Sequence, residues 1–117
     1  MISRLLGRKK EDQAARWLAR QGVEIVARNF TCRGGELDIV GRKGNTLICF
    51  EVRHRSRRDR GSAAESLTPA KLTRLQRCFE HFLQRHPQFQ GLTPRIDALL
   101  FDGETTTPEW LENITGW

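Results

Sequence analysis

A chain of 117 residues is long enough for one compact domain and too short for two. Its net charge of +6 hides an asymmetry, because residues 1–95 carry 20 basic and 9 acidic side chains, whereas residues 96–117 carry five acids and no Lys or Arg. The basic part favours nucleic acid as the partner. The lack of a cleavable leader and of any apolar run near the roughly 20 residues of a membrane span argues against a membrane protein and predicts a cytoplasmic one.

The first predicted helix covers residues 10–21 and ends at Gly22. Its apolar face carries Ala14, Ala15 and Leu18. Glu11 shares that face, because it precedes these side chains by three, four and seven residues. A carboxylate on an inward face needs a partner or a metal ion. A carboxylate in the first turn of a helix, by contrast, interacts favourably with the helix dipole and stays hydrated. Both interpretations of Glu11 remain open from the sequence.

Three strands are predicted next, at residues 23–30, 36–40 and 47–53. The pair Gly44-Asn45 is typical of a two-residue hairpin turn, since both residue types tolerate a positive φ. This turn pairs Lys43 with Thr46. Counting back along both strands places Asp38 opposite Glu51, with their Cβ atoms about 4.5 to 5.5 Å apart. Two carboxylates that close repel each other unless a proton or a cation lies between them, so the hairpin predicts a divalent-metal site.

The third strand is predicted to be central in the sheet, because it carries apolar residues on both faces. In the same register Arg53 faces Glu36, which gives Arg53 an alternative role in a cross-strand ion pair. Residues 54–62 contain no apolar side chain to bury, so we expect a mobile basic loop over residues 54–64. Its arginines are suited to phosphate oxygens, although a solvated loop is the alternative.

The second predicted helix begins with Thr68 as its N-cap and Pro69 at its first position, and it ends before Pro87. Lys71 and Arg74 lie at its wetter positions. Its buried stripe consists of Leu72, Leu75, Phe79, Phe82 and Leu83.

A fourth strand is predicted over residues 95–101, where Asp97 is expected to be structural and to anchor Arg95 or a neighbouring backbone group. An acidic C-terminal tail follows over residues 102–117, and its apolar residues are expected to cap the core. The order helix, three strands, helix, strand predicts a single domain over residues 1–117. Its fold class is a small α/β sandwich with a mixed central sheet, formed by an antiparallel hairpin and a later parallel strand.

Two segments, 35–40 (GELDIV) and 50–53 (FEVR), resemble the PD-(D/E)xK nuclease core, in which an acid and an acid-x-Lys motif lie on adjacent strands. From about Gly7 to the tail, the chain more closely resembles the bacterial YraN-like family of uncharacterised predicted endonucleases. That family is related in fold to archaeal Holliday junction resolvases. The supporting landmarks are Glu11, the segments 28–30 (RNF) and 95–97 (RID), and Lys71.

The resemblance implies a three-layer restriction-endonuclease-like sandwich and a Mg²⁺ or Mn²⁺ cofactor. The implied metal ligands are Asp38, Glu51 and the carbonyl of Val52, with Glu11 joining directly or through water. The implied catalytic set adds two cations to the acids and consists of Glu11, Asp38, Glu51, Arg53 and Lys71.

The expected substrate is DNA, of a branched or structured kind. The candidate nucleic-acid-binding residues are Arg33, Arg53, Arg55, Arg57, Arg58, Arg60, Lys71 and Arg74. By analogy with junction resolvases, which act as dimers that match the symmetry of a four-way junction, the resemblance also implies a homodimer.

Arg53 departs from the motif, which usually has Lys at this position. A guanidinium stays protonated and cannot act as a general base, although it can hold a phosphate. Two alternatives to an endonuclease therefore stay open. One is a nucleic-acid-binding module with the same fold and little or no cleavage, and the other is a small protein–protein adaptor that uses the acidic tail.

The three cysteines, Cys32, Cys49 and Cys78, are an odd number and show no C-x-x-C spacing. We expect them to be reduced thiols in a cytosolic protein, with Cys49 packed as a small apolar residue in its strand.

Overall fold

The computed structural model describes residues 2–55, 63–103 and 105–116, with side chains from Arg8 onward. Two short 3₁₀ turns, Ala64–Ser66 and Pro87–Phe89, flank the second helix. No helix in these ranges is long and apolar enough to span a bilayer. The other elements in chain order are α1 (Ile2–Arg20), β1 (Glu24–Cys32), β2 (Gly35–Lys43), β3 (Thr46–Arg55), α2 (Pro69–Arg85), β4 (Thr93–Asp102) and β5 (Glu109–Leu111).

The five strands form one mixed sheet in the order β1-β2-β3-β4-β5. Strands β3 and β4 run parallel and are joined by the crossover that contains α2, whereas the other neighbouring strands pair antiparallel. Helices α1 and α2 pack against different core clusters, one on each face of the sheet. The predicted α/β sandwich, with an antiparallel hairpin and a later parallel strand, is confirmed.

The core is divided by the sheet, and β3 contributes to both halves. The cluster against α1 contains Ala14, Leu18, Val23, Ile39, Ile48, Phe50, Leu99 and Phe101. The cluster against α2 contains Leu37, Val40, Leu47, Cys49, Leu75, Cys78, Phe79, Phe82 and Ile96. Successive residues of β3 alternate between the two clusters, as expected for a central strand covered on both faces.

The β2–β3 hairpin closes through Gly44 and Asn45, and Gly44 takes the positive φ of 60° that the turn requires. Lys43 pairs with Thr46, which confirms the predicted register. The ladder continues to the pair of Ile39 and Phe50 and ends there. The next position along both strands is that of Asp38 and Glu51.

Strands β1 and β2 lose their strict alternation close to this point. In a regular strand, side chains three residues apart face opposite ways, yet Ala27 and Phe30 pack against one cluster, as do Leu37 and Val40. Between Ala27 and Phe30, Asn29 has a φ of 54°, a left-handed conformation that Asn adopts more readily than most residues. The irregularity coincides with the end of the β2–β3 ladder.

Helix α2 begins as predicted, with Pro69 at its first position and Thr68 Oγ1 accepting a hydrogen bond from the Lys71 N–H at 3.3 Å. Helix α1 begins at Ile2, before the predicted start at residue 10. Residues 2–9 contain several good helix formers, and a single Gly7 inside a helix costs only about 1 kcal/mol.

The C-terminal segment contains a strand that the sequence analysis missed. Leu99 of β4 pairs antiparallel with Trp110 of β5. Asp97 is fully buried beside them, and its carboxylate accepts four hydrogen bonds at 2.8 to 2.9 Å, from Arg95 Nε and Nη2, Trp110 Nε1 and Asn113 N. The structural role predicted for Asp97 is confirmed.

The predicted basic loop, 54–64, falls largely outside the described residues, which omit 56–62. His54 and Arg55 continue β3, and Ala63 is fully buried. Both described ends of this segment therefore belong to the folded domain.

The cysteines differ from expectation, because Cys32 and Cys78 form a disulfide bond. The prediction of three reduced thiols is therefore wrong for this pair. Cys32 ends β1 and Cys78 lies in α2, and 46 positions separate them, so their proximity depends on the tertiary fold. Cys49 is free and buried in β3, as expected.

Candidate functional site

An open cavity of about 370 Å³ lies where β2 and β3 stop pairing, and α1 and α2 both reach it. The structure brings the five predicted catalytic residues together in its lining: Glu11, Asp38, Glu51, Arg53 and Lys71. Val52, whose carbonyl was a predicted metal ligand, also lines it. These residues come from four elements, so the cluster forms only when both helices and the hairpin are in place.

Asp38 bridges the two strands where their ladder has ended. Its Oδ2 accepts a hydrogen bond from the Val52 N–H at 2.9 Å. A side chain of β2 therefore satisfies a backbone donor of β3. This contact holds the Asp38 carboxylate beside Glu51, the neighbour that the hairpin register predicted.

Glu51 is a nearly buried acid with only 7% of its surface exposed. Burial raises its pKa well above the usual value, and a hydrogen bond and the negative charge of Asp38 raise the pKa further. Arg53 lowers the pKa in part through its ion pair, in which Nη2 lies 3.4 Å from Glu51 Oε2. Without a cation, Glu51 therefore tends to hold a proton beside Asp38.

Glu11 reaches the same place from α1. Burial raises its pKa to about 7, with further contributions from the charges of Asp38 and Glu36, and Arg28 partly offsets them. One carboxylate oxygen from each of Glu11, Glu36 and Asp38 lies within 4.8 Å of the others. The interpretation of Glu11 as an inward-facing acid with close acidic neighbours fits better than that of a fully hydrated first-turn acid.

Asn29 is a site residue that the sequence analysis recorded only as part of a landmark segment. With its amide oriented to satisfy the hydrogen-bond network, its nitrogen donates to Glu11 Oε1 at 2.8 Å and to Glu36 Oε1 at 3.2 Å. A polar residue able to adopt a positive φ near the end of a predicted strand was the available signal. Asn29 joins α1 to the hairpin through their carboxylates.

Glu36 also has a different role from the one predicted. The predicted register placed it opposite Arg53, with a cross-strand ion pair as the alternative role of Arg53, but the ion pair of Arg53 is with Glu51 in its own strand. Glu36 instead belongs to the acidic group with Glu11 and Asp38. The prediction failed because the β2–β3 ladder ends before this position, so counting along regular strands no longer applies.

Two cations border the acids. Arg53 has 26% of its side chain exposed, and its buried Nε has no hydrogen-bond partner among the described residues. The pKa of Lys71 is lowered chiefly by the charge of Arg53, and burial and the charges of Arg55 and Arg74 add to this. A partly exposed guanidinium beside a second cation is suited to an anionic oxygen.

The other predicted nucleic-acid-binding residues are spread around this cavity. Arg74 lines it, and Arg33 is exposed on the turn between β1 and β2. Arg55 ends β3 and is half-buried. The remaining candidates, Arg57, Arg58 and Arg60, lie outside the described residues.

The family model described as "Uncharacterised protein family UPF0102" matches residues 10–101, a range that includes the cluster from Glu11 to Lys71. The chain belongs to this family. A UPF0102 protein of Neisseria meningitidis serogroup C is 40% identical over 110 residues, which cover 94% of each chain. A UPF0102 protein of Dechloromonas aromatica is 43% identical over 107 residues, covering 92% of this chain and 85% of the relative. Another, from Aeromonas hydrophila, is 37% identical over 108 residues.

The donor set of this UPF0102 protein has a definite chemical character. Glu11, Glu36 and Asp38 present carboxylate oxygens to one another, and Glu51 adds another beside Asp38. Hard divalent cations such as Mg²⁺ and Mn²⁺ prefer such oxygen ligands. Burial is the main cause of the raised pKa values of Glu11 and Glu51, and a cation would relieve the charge repulsion that adds to it. The residues present therefore fit a Mg²⁺ or Mn²⁺ ion.

Proposed function

We propose that this protein is a metal-dependent endonuclease with a PD-(D/E)xK core that acts on DNA. The observation that carries the proposal is the convergence of four acids and three cations in one open cavity, at the point where β2 and β3 separate. An acidic cluster can hold a divalent ion, and adjacent cations can hold the phosphate that the ion polarises. Branched or structured DNA, a homodimeric state and a cytoplasmic location are parts of the same proposal.

Asp38 and Glu51 would hold Mg²⁺ or Mn²⁺ together with the Val52 carbonyl, and Glu11 would join directly or through water. When bound, such an ion supplies charge for the phosphate and lowers the pKa of a coordinated water. Asn29 orients the acids, because its amide donates to Glu11 and Glu36 and fixes their relative positions.

Arg53 and Lys71 would act on the phosphate itself. The guanidinium of Arg53 remains protonated, so it contributes positive charge and hydrogen bonds and does not remove a proton. Its side chain is 26% exposed and lines the cavity, so the guanidinium can reach a phosphate oxygen there. Lys71 lines the same cavity from the first turn of α2 and would supply a second positive charge.

A nucleic-acid-binding module with little or no cleavage is the second candidate function. It is favoured by the ion pair of Arg53 with Glu51, because this contact engages an oxygen that a metal ion needs. The two candidates share the fold, the cavity and the ligand class, and they differ only in turnover.

The experiment that separates them incubates the purified protein with nicked, flapped, branched and single-stranded DNA in Mg²⁺ or Mn²⁺. We expect cleavage that Glu51→Ala abolishes and Arg53→Lys increases, whereas Glu80→Ala, an exposed acid on α2, leaves it unchanged. Binding without cleavage by the wild type and by Arg53→Lys would favour the module.

Calorimetry with Mn²⁺ tests the metal site without a substrate. The wild type should bind the ion, and Asp38→Ala should bind it at least tenfold more weakly because two strands then lose their shared carboxylate. Equal binding by the two proteins would overturn the site. Fractionation of cells tests the proposed location, and thiol trapping in the same cells tests whether the Cys32–Cys78 disulfide is present there.

A further inference from the structure

A groove leads away from the carboxylate cavity, between α2 and the turn that joins β1 to β2. A second cavity of about 220 Å³ lies there, lined by Cys32, Arg33, Arg77, Cys78 and His81. Among the described residues the two cavities share no lining residue, but they are neighbours along both walls. In the turn, Arg33 precedes Gly34, which lines the first cavity, and in α2, Arg77 lies less than one helical turn beyond Arg74.

The wall formed by α2 carries a one-sided row of basic residues. At 3.6 residues per turn, positions 71, 74, 77 and 81 fall within about 120° of the helix circumference. Glu80 lies outside that arc, and Arg74, Arg77 and His81 are exposed. We name the surface formed by Arg33, Lys71, Arg74, Arg77 and His81 the basic groove.

The floor of the basic groove is a covalent connection between its walls. Cys78 lies on the same side of α2 as the basic row, at the edge nearest the buried stripe, and it is bonded to Cys32 at the end of β1. The disulfide therefore fixes the separation of Arg33 from the α2 cations. The positive charges are spread along a groove of fixed width. Such a surface favours an extended polyanion, because a compact anion could contact only some of the cations at once.

We propose that the basic groove binds the phosphodiester backbone of a nucleic-acid strand that continues from the carboxylate cavity. From Lys71 to His81 the helix rises about 15 Å, which corresponds to roughly four nucleotides at about 3.4 Å each in a duplex strand. Arginine side chains match phosphate oxygens, and they carry no base specificity unless they reach the base edges in a groove of the nucleic acid. The choice of nucleic acid rests on the proposed function, and binding through the groove requires neither metal nor cleavage.

The test measures the binding of labelled single-stranded and hairpin duplex DNA of 12 nucleotides or more, in EDTA, over a series of salt concentrations. The groove variant is the double substitution Arg33→Ala/Arg77→Ala. The matched control is Arg16→Ala/Arg20→Ala, which removes the same charge from exposed positions of α1 on the opposite face of the sheet. Thiol counting confirms that the disulfide is intact in each protein.

The groove variant should bind at least tenfold more weakly at low salt, and its slope of log K against log salt should fall by about 2, since each phosphate contact contributes about 0.9. The control should stay within about twofold of the wild type. In a length series, affinity should rise until the strand spans both cavities. Equal effects of the two double variants, or equal affinity for a dinucleotide and a 12-mer, would overturn the inference.

Competition with polyglutamate of matched charge decides whether the groove recognises nucleic acid in particular. Competition as strong as that of unlabelled DNA would overturn this partner. The result is separable from the proposed function. If the groove variant binds DNA unaltered while the protein cleaves it, the groove proposal alone is contradicted. If binding depends on the groove but no cleavage occurs, only the nuclease proposal is contradicted.

Discussion

At the scale of single residues, the main feature is a carboxylate whose ionisation opposes folding. Glu11 has its pKa raised from 4.5 to about 7 in the folded protein. Between those two pH values the folded state binds more protons than the unfolded chain. The free energy of unfolding therefore falls as pH rises through this window.

Glu11→Gln should accordingly stabilise the metal-free protein above pH 7 and have little such effect near pH 4. The expected gain is about 1 to 2 kcal/mol, because solvent screens a half-buried group and reduces the roughly 3 kcal/mol that the full shift corresponds to. Urea denaturation in EDTA at pH 4 and pH 8 measures it, with the exposed Glu80→Gln as the control. A gain that is equal at both pH values would contradict the assigned cause.

Asn29 combines two functions in one residue, a backbone conformation and a pair of hydrogen bonds. Asn29→Gly keeps the access to a φ of 54° and removes the amide, whereas Asn29→Ala removes both. We expect both variants to bind Mn²⁺ more weakly, and Asn29→Ala to be less stable than Asn29→Gly by about 1 kcal/mol. Calorimetry and urea denaturation provide the two readouts. Equal stability of the two variants would show that the backbone conformation carries no cost.

At the scale of elements, Asp97 connects β4 to the C-terminal segment. Asp97→Ala removes the acceptor of four hydrogen bonds and leaves the Trp110 N–H, the Asn113 N–H and the Arg95 guanidinium without it. The expected loss is about 3 kcal/mol in the free energy of unfolding. Protease cleavage within residues 105–116 should become faster. Glu112→Ala is the control, because Glu112 is 63% exposed and lies 3.8 Å from Arg95, and should change stability by less than about 0.5 kcal/mol.

Local sequence patterns predicted some of the elements and missed others. The Gly44-Asn45 turn and the Thr68-Pro69 cap were predictable because turn and cap chemistry depends on neighbouring residues only. The three residues of β5 have no such local signal, since their strand pairing depends on β4 and on the buried Asp97. The proximity of Asp38 and Glu51 could be predicted from the register of the β2–β3 hairpin. The positions of Glu36 and Asn29 could not, because they depend on where β1 and β2 become irregular.

At the scale of the whole molecule, the disulfide is the one covalent link between distant parts of the described chain. Cys32 and Cys78 close a loop with a sequence separation of 46. On a chain-entropy basis, closing such a loop stabilises the folded state by about 4 kcal/mol. Such a pairing could not be predicted from three cysteines with uninformative spacing.

Reduction of the wild type should therefore lower the free energy of unfolding by about 4 kcal/mol, measured by urea denaturation with and without a dithiol reductant. The double variant Cys32→Ser/Cys78→Ser should show no difference between the two conditions, because the remaining Cys49 is free and buried. A persistent difference in that variant would mean that the reductant acts elsewhere.

The origin of the site in α1, β2, β3 and α2 has a thermodynamic consequence. Glu11 and Glu51 are 40 positions apart in the chain, so the unfolded polypeptide offers no equivalent constellation. Any ion or anion that occupies the cavity binds the native state alone, and at 100 times its dissociation constant it adds about 2.7 kcal/mol to stability. Ligand binding should therefore raise the melting temperature. A panel of cations, nucleotides and oligonucleotides can be ranked by this thermal shift before any reaction has been identified.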